Sequence, residues 1–195
     1  MKPWLRYTIC IALGLGGGAA FAVHQVRGDY AAKQVRNGPW SANTDQGTAK
    51  ASALTRAKVA LNGLLALPAK EAMYFIAATD SDGAPLKGNC TYTVSGGELD
   101  ARWWSITLYK GEGWLVKNTA NRWSIGSGGI AMNESQPPGW QFLVGPKAPK
   151  DDPQYLPTGG TAQFDLTLRT YHPQGALLND PAKAKLPTIK KEGCA

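Results

Sequence analysis

The spacing of apolar and polar positions changes character twice along this chain. From Tyr7 to Val23 the residues are apolar or small almost without a break, and no Asp, Glu, Lys or Arg lies between Arg6 and Arg27. At about 1.5 Å rise per residue, a helix over Tyr7–Val26 is roughly 30 Å long, one hydrocarbon core. The pattern predicts a transmembrane helix. A second regime begins at Thr48, where an Ala-rich run continues to Leu67. Leu54, Leu61, Leu64 and Leu65 approximate one helical stripe, with Arg56, Lys58 and Asn62 mostly elsewhere, and Pro68 stops it. This predicts one amphipathic helix, packed on the domain that follows.

After Pro68 the period falls to two. Ala72, Tyr74, Ile76 and Ala78 share one face of a strand that ends at Asp80-Ser81-Asp82-Gly83. Cys90, Tyr92 and Val94 form one face of a second, closed by Gly96-Gly97. In residues 101–110, Trp104, Ile106 and Leu108 oppose Trp103, Ser105, Thr107 and Tyr109, and a Gly-rich turn leads into Trp114-Leu115-Val116 as a hairpin. Asn121–Ser127 and Trp140–Val144 are shorter candidates. Late in the chain, Phe164, Leu166 and Leu168 oppose Asp165, Thr167 and Arg169. Short strands joined by turns, without alternating helices, predict a mainly β, antiparallel sandwich or barrel.

The division that follows is a membrane anchor over 1–26, a polar linker over 27–47 with a turn at Asn37-Gly38-Pro39, and a domain over 48–195. A secretory signal has a shorter apolar centre, so length favours a retained anchor; Ala20-Phe21-Ala22 nevertheless has the small-x-small form of a cleavage site, which leaves removal after Ala22 open. The short leading tail has nothing to fold outside, and long following domains cross membranes regardless of charge. The expectation is a single-pass protein of the bacterial inner membrane with its carboxyl-terminal domain in the periplasm. Cys10 precedes too much of the apolar run to be a lipoprotein cysteine. Gly14 and Gly18 are spaced for close helix packing, a common feature of Gly-rich spans.

Composition sharpens this picture only in part. Hydrophobic residues make up 43% and charged residues 18%, while 23 Gly and 13 Pro fit many turns. The net charge is +7, with Lys183, Lys185, Lys190 and Lys191 concentrated late. Without interleaved aromatics this is no nucleic-acid motif, and a solvated basic face near an anionic membrane is the better use. An oxidising compartment permits a Cys90–Cys194 disulfide, which closes a loop of roughly 100 residues and contributes about 4–5 kcal/mol in the chain-entropy model. The alternative is two free thiols.

Residues 103–127 (WWSITLYKGEGWLVKNTANRWSIGS), then Tyr155-Leu156-Pro157, then residues 164–173 (FDLTLRTYHP) together resemble the bacterial family called domain of unknown function 1214. The shared features are an aromatic-Ser-x-Thr-x-Tyr strand, a Gly-aromatic-Leu hairpin, an Asn-Arg-aromatic-Ser element and a Leu-x-x-Arg-x-Tyr-x-Pro strand. They run in order over roughly residues 70–192, with Tyr155 where Trp is more usual. The resemblance implies a jelly-roll-like β-sandwich. It transfers no activity and no catalytic residue.

The residues themselves offer little chemistry. Only His24 and His172 are present, no G-x-S-x-G elbow occurs, and Gly126-Ser127-Gly128 reads as a turn. No metal site or cofactor is expected: Asp80, Asp82 and Gly83 begin like a calcium loop but lack its closing Glu. Glu98, Asp100, Glu112, Glu134 and Asp165 are candidate acid/base carboxylates, most of them beside turns. Asn118, Asn121 and Arg122 form a polar cluster suited either to binding an anion or to hydrogen-bonding their own loop. Trp103, Trp104, Trp114, Trp123 and Trp140 offer either a sugar platform or core, with most expected in the core. The expected function is a membrane-anchored periplasmic binding or interaction module, held by the lipid bilayer and serving an envelope protein or small-molecule ligand. The alternative is an envelope hydrolase acting on glycan or lipid through surface carboxylates.

Overall fold

A computed structural model describes residues 2–27, 34–61, 66–111, 113–132, 139–147, 152 and 154–195. The elements, in chain order, are α1 (Pro3–Arg27), β1 (Gln34–Asn37), β2 (Trp40–Asn43), α2 (Ala53–Leu61), β3 (Ala72–Ala77), β4 (Cys90–Gly96) and β5 (Ala101–Lys110). They continue as β6 (Trp114–Leu115), β7 (Ser124–Gly126), β8 (Trp140–Gly145), β9 (Tyr155–Pro157), β10 (Asp165–Pro173), α3 (Gly175–Asn179) and β11 (Thr188–Cys194). Pro3 opens α1, where its missing N–H is no loss. From Pro3 to Val26 this helix is long and apolar enough to cross a membrane, and none of it is buried against the rest of the chain.

Two sheets make the domain. The larger runs β1-β2-β3-β10-β5-β6, with β7 also paired to β5, and the smaller runs β11-β4-β8-β9. Every pair is antiparallel except β8–β9, which is parallel. Alternation aims one face of each sheet at the other. Phe75 and Ala77 of β3, Leu166 and Leu168 of β10, and Ile106 and Leu108 of β5 share a core with Tyr92 and Val94 of β4 and Phe142 and Val144 of β8. Trp104 of the larger sheet stacks on Trp140 of the smaller with ring centroids 4.4 Å apart. Each large apolar side chain so buried contributes about 1.5–3 kcal/mol.

The chain departs from the sequence reading in several places. Residues 34–43, expected as linker, form a hairpin that extends the larger sheet; its turn is the Asn-Gly-Pro signal, with Gly38 at φ +57°. Trp40 and Ala42 are buried, and Trp40 Nε1 donates to Pro187 O at 2.7 Å. The amphipathic helix starts later than Thr48, because Ser52 caps it: Ser52 Oγ accepts from Thr55 N at 3.1 Å. Thr48 belongs to a preceding turn. Within α2 the buried residue is Thr55, while Leu61 of the expected stripe is 65% exposed. Leu64, Leu65 and Asn62 lie outside the described residues. In the late basic segment, Lys190 and Lys191 stand exposed on β11 opposite Thr93 and Tyr92.

Cys194 pairs in register with Cys90 across β11 and β4, and their sulfurs are bonded at 2.03 Å. A tight crossing locks the turn after β9 to the loop after β6. Gly159 sits there at φ +56°, and a Cβ on it would stand 2.2 Å from Lys117 O. Only glycine fits this combination of left-handed backbone and contact.

Candidate functional site

The polar cluster Asn118, Asn121 and Arg122 is built as a loop brace. Asn118 Nδ2 donates to Arg122 O at 2.9 Å and Val116 O at 3.2 Å, and Asn118 Oδ1 accepts from Arg122 N at 3.1 Å. Arg122 Nη1 donates to the carbonyls of Tyr155 at 3.1 Å and Asp152 at 3.4 Å, tying this loop to β9. Asn121 is exposed, at φ +49°. The three are brought together, with Asn118 and Arg122 bonded to backbone.

Among the described residues the candidate carboxylates do not converge in an aromatic cleft. Glu98 and Asp100 line an open depression of about 470 Å³ with Leu99, Ala101, Arg102 and Gln174, a wall without aromatic rings. Asp165 lies elsewhere, at the start of β10, and Glu112 and Glu134 lie outside the described residues. Asp80 orders its own turn, accepting from Ala84 N at 2.8 Å and Asp82 N at 3.1 Å. Among the described residues no group of His, Cys, Asp and Glu could hold a metal ion. His172, at φ +47°, stands 3.7 Å from Glu71 through its Nδ1. Ser127 Oγ accepts from Trp104 N at 3.3 Å, so the Gly126-Ser127-Gly128 turn fastens β7 to β5.

The tryptophans divide unexpectedly. Trp104 and Trp140 are core, but Trp103, Trp114 and Trp123 are 42%, 67% and 36% exposed. The expectation that most would be core fails because these three stand on the outward face or near the edge of the larger sheet. Trp123 still anchors itself, donating from Nε1 to Val116 O at 2.7 Å.

The outward face of the larger sheet carries the most concentrated chemistry. Register places Tyr74 of β3, Arg169 of β10 and Ser105 of β5 in one row. Adjacent rows hold Ile76–Thr167–Thr107 and Ala72–Tyr171–Trp103, and Asp165–Tyr109 lies beyond the first of these. Alternation, with Leu166 and Leu168 turned to the core, forces Arg169 outward. Its Nη2 donates to Tyr109 Oη at 2.6 Å and its Nη1 to Thr107 Oγ1 at 3.1 Å. The guanidinium carbon stands 5.4 Å from the Tyr109 ring centroid and 5.9 Å from that of Tyr74, within cation–π range. Trp103 leans on Tyr171 with centroids 5.4 Å apart.

Across β3, β10 and β5 this face carries one cation, Arg169, and one carboxyl, Asp165, two rows away along β10. Arg169 is half-buried, and no carboxylate pairs with it among the described residues. Burial raises the Tyr74 phenol above its usual range, Tyr171 adds to the rise, and the Arg169 charge opposes both. Burial likewise pushes the Asp165 carboxyl up to about 6, against a smaller pull from a backbone hydrogen bond. Sequence reasoning passed over Arg169 as one polar position in an alternating strand. The available signal was that both strand motifs quoted for the resemblance, Ser105-x-Thr107-x-Tyr109 and Arg169-x-Tyr171, put their polar residues on the same side.

Fold and site together define a two-sheet β domain behind an apolar amino-terminal helix. The chain belongs to the family described as protein of unknown function (DUF1214), which matches residues 71–175. It is similar to the VPA0106 protein from Vibrio parahaemolyticus, with 26% identity and a TM-score of 0.58 over 70% of this chain and 34% of that one. The chain thus spans about a third of that protein's length. An uncharacterized protein from Burkholderia cenocepacia aligns at 13% identity and a TM-score of 0.39, over 63% of this chain and 29% of that one. No curated protein matches the sequence.

Proposed function

We propose that the protein is a binding module, tethered by α1 to the bacterial inner membrane with its β domain in the periplasm, whose working surface is the outward face of the larger sheet. The observation that carries this reading is Arg169: a half-buried cation held between two phenol rings with no carboxylate partner among the described residues. A purely structural arginine at such depth ordinarily has an acidic partner, because an uncompensated charge is costly there. The bonded Cys90–Cys194 pair suits an oxidising compartment. Among the described residues the hydrolase alternative draws on Glu98 and Asp100, in a depression without aromatic walls.

Two measurements on the full chain test this. A periplasm-dependent phosphatase fused after Ala195 should be active, while a cytosol-dependent fluorescent fusion should stay dark; the reverse pattern overturns the location. A photocrosslinking residue at Trp103, the 42% exposed position on this face, should yield adducts in intact envelopes, and one at Lys190 on β11 should yield few. Equal yields overturn the assignment of the working surface.

A further inference from the structure

We infer that the β5–β6 hairpin docks on the surface of an anionic lipid bilayer, with Trp114, Leu115 and Trp123 entering the interface and Lys110 and Lys117 on the headgroups. This contact lies apart from the Arg169 face and rests on the reading of α1 as a membrane tether.

The hairpin presents apolar side chains to the outside. β5 ends at Lys110, Gly113 takes a left-handed conformation at φ +79°, and β6 returns for two residues. Trp114 pairs with Lys110 and Leu115 with Tyr109, and among the described residues the sheet ends at β6. Trp114 and Leu115 are 67% and 48% exposed. Trp123 joins them, because its Nε1 donates to Val116 O at 2.7 Å and so holds the exposed indole beside β6. Single exposed apolar residues are ordinary; three large ones adjoining at one end of a sheet mark an interaction surface.

Chemistry selects lipid. An indole has an apolar body and a polar N–H, which suits the boundary between headgroups and acyl chains, and Trp is enriched there. From Lys110 to Trp123 the sequence carries Lys110, Lys117 and Arg122 against Glu112. Arg122 is engaged by the Tyr155 and Asp152 carbonyls, while Lys110 and Lys117 are exposed. Lysines within a Debye length of an anionic leaflet are drawn to it. An apolar patch flanked by lysines thus matches both layers of a bilayer surface.

Reach permits the contact. Six residues, 28–33, separate Arg27 from Gln34, so Gln34 lies at most about 25 Å from the end of α1. Gln34 stands near the level of Ser105, five residues short of Lys110 along the strands, and β1 and β6 are five strand positions apart. At normal spacings this puts Trp114 about 30 Å from Gln34. The domain can therefore turn the hairpin onto the membrane that holds α1. Tethering also makes the contact intramolecular, so weak insertion is enough.

The test uses the full chain with Cys10→Ser, carrying an environment-sensitive fluorophore at Leu115→Cys or, as a control, at Lys183→Cys, an exposed lysine near β1. Vesicles contain phosphatidylcholine alone or equal parts of phosphatidylcholine and phosphatidylglycerol. With phosphatidylglycerol present, the Leu115 label should shift to shorter wavelength and be quenched by nitroxide on the upper acyl chain, and the Lys183 label should be neither. Quenching at Leu115 should fall about fivefold in Trp114→Ser, when Lys110 and Lys117 are both replaced by Glu, or when phosphatidylglycerol is omitted. Equal quenching at the two positions, no quenching at Leu115, or quenching indifferent to Trp114→Ser overturns the docking. Quenching as strong without phosphatidylglycerol overturns the anionic surface. A wavelength shift that grows with protein density and is untouched by nitroxide overturns lipid in favour of a second copy. A chain that does not float with the vesicles overturns tether and docking together, whereas flotation with an unquenched Leu115 label overturns the docking alone.

Discussion

Asp165 is an acid held in the wrong solvent. Its Oδ2 is shut off from water with no hydrogen-bond partner among the described residues, and its carboxyl titrates near 6. The folded state therefore holds this proton more tightly than the unfolded chain, whose carboxyl sits near 3.8. The resulting contribution to stability is fully present below about pH 4 and is lost as pH rises through 6. Two units correspond to about 2–3 kcal/mol, reduced by partial exposure to about 1–2. Asp165→Asn should remove that pH dependence and make the protein more stable than wild type by about 1–2 kcal/mol at pH 7.5. Urea melts of both proteins at pH 4, 5.5 and 7.5 measure it, and parallel pH slopes would exonerate Asp165. Glu192 acts in the opposite sense, lowered chiefly by a hydrogen bond with Thr93, but it is common to both proteins and cancels in the comparison.

Among elements, β11 pairs with a single strand, with Ser81 bonding Ile189 on its other side. It lies at the edge of the smaller sheet, pairs only with β4, and carries the disulfide at its far end. The bridge closes a sequence separation of 104 residues, so replacing both Cys90 and Cys194 by Ala should cost about 2–5 kcal/mol. Denaturant melts of wild type with and without dithiothreitol, beside the double variant, check this; an unchanged midpoint removes the bridge from the account. The long strands were legible from alternation, because β4, β5 and β10 bury one clean apolar face each. Residues 34–43 were not, since Val35, Trp40 and Ala42 give too short a pattern among polar neighbours. The site was legible only in halves. Arg169 meets Thr107 and Tyr109 across more than fifty residues, through strand register that no local pattern records. Asn118 and Arg122 stood out because local polarity is conspicuous, and such polarity is what a loop needs to satisfy its own backbone.

For the whole molecule, direction along the strands separates two ends. β1 begins at Gln34 near the level of the Tyr74–Arg169–Ser105 row and runs toward the Leu166 row, so its first residue lies on the Tyr171 side. Trp114 stands beyond Asp165, at the opposite end. The start of β1 and the exposed hairpin tryptophan thus belong to opposite ends of the larger sheet.

Sheets that do not close on themselves leave ribbons of unsatisfied backbone along their sides, and among the described residues these two sheets have four such sides. Each is blunted: β1 has four residues and carries Arg36, β6 has two and β7 beside it three, β9 has three and ends in Pro157, and β11 carries Lys190, Lys191 and Glu192 and has Ile189 bonded by Ser81. Short length, proline and lysine are the means by which natural sheets discourage a second chain from adding itself. Replacing Lys190 and Lys191 together by Val should leave the fold intact yet produce concentration-dependent fibrils, seen as thioflavin fluorescence and loss from the supernatant. Against self-templated polymerisation, then, the charges on β11 act as a guard rail.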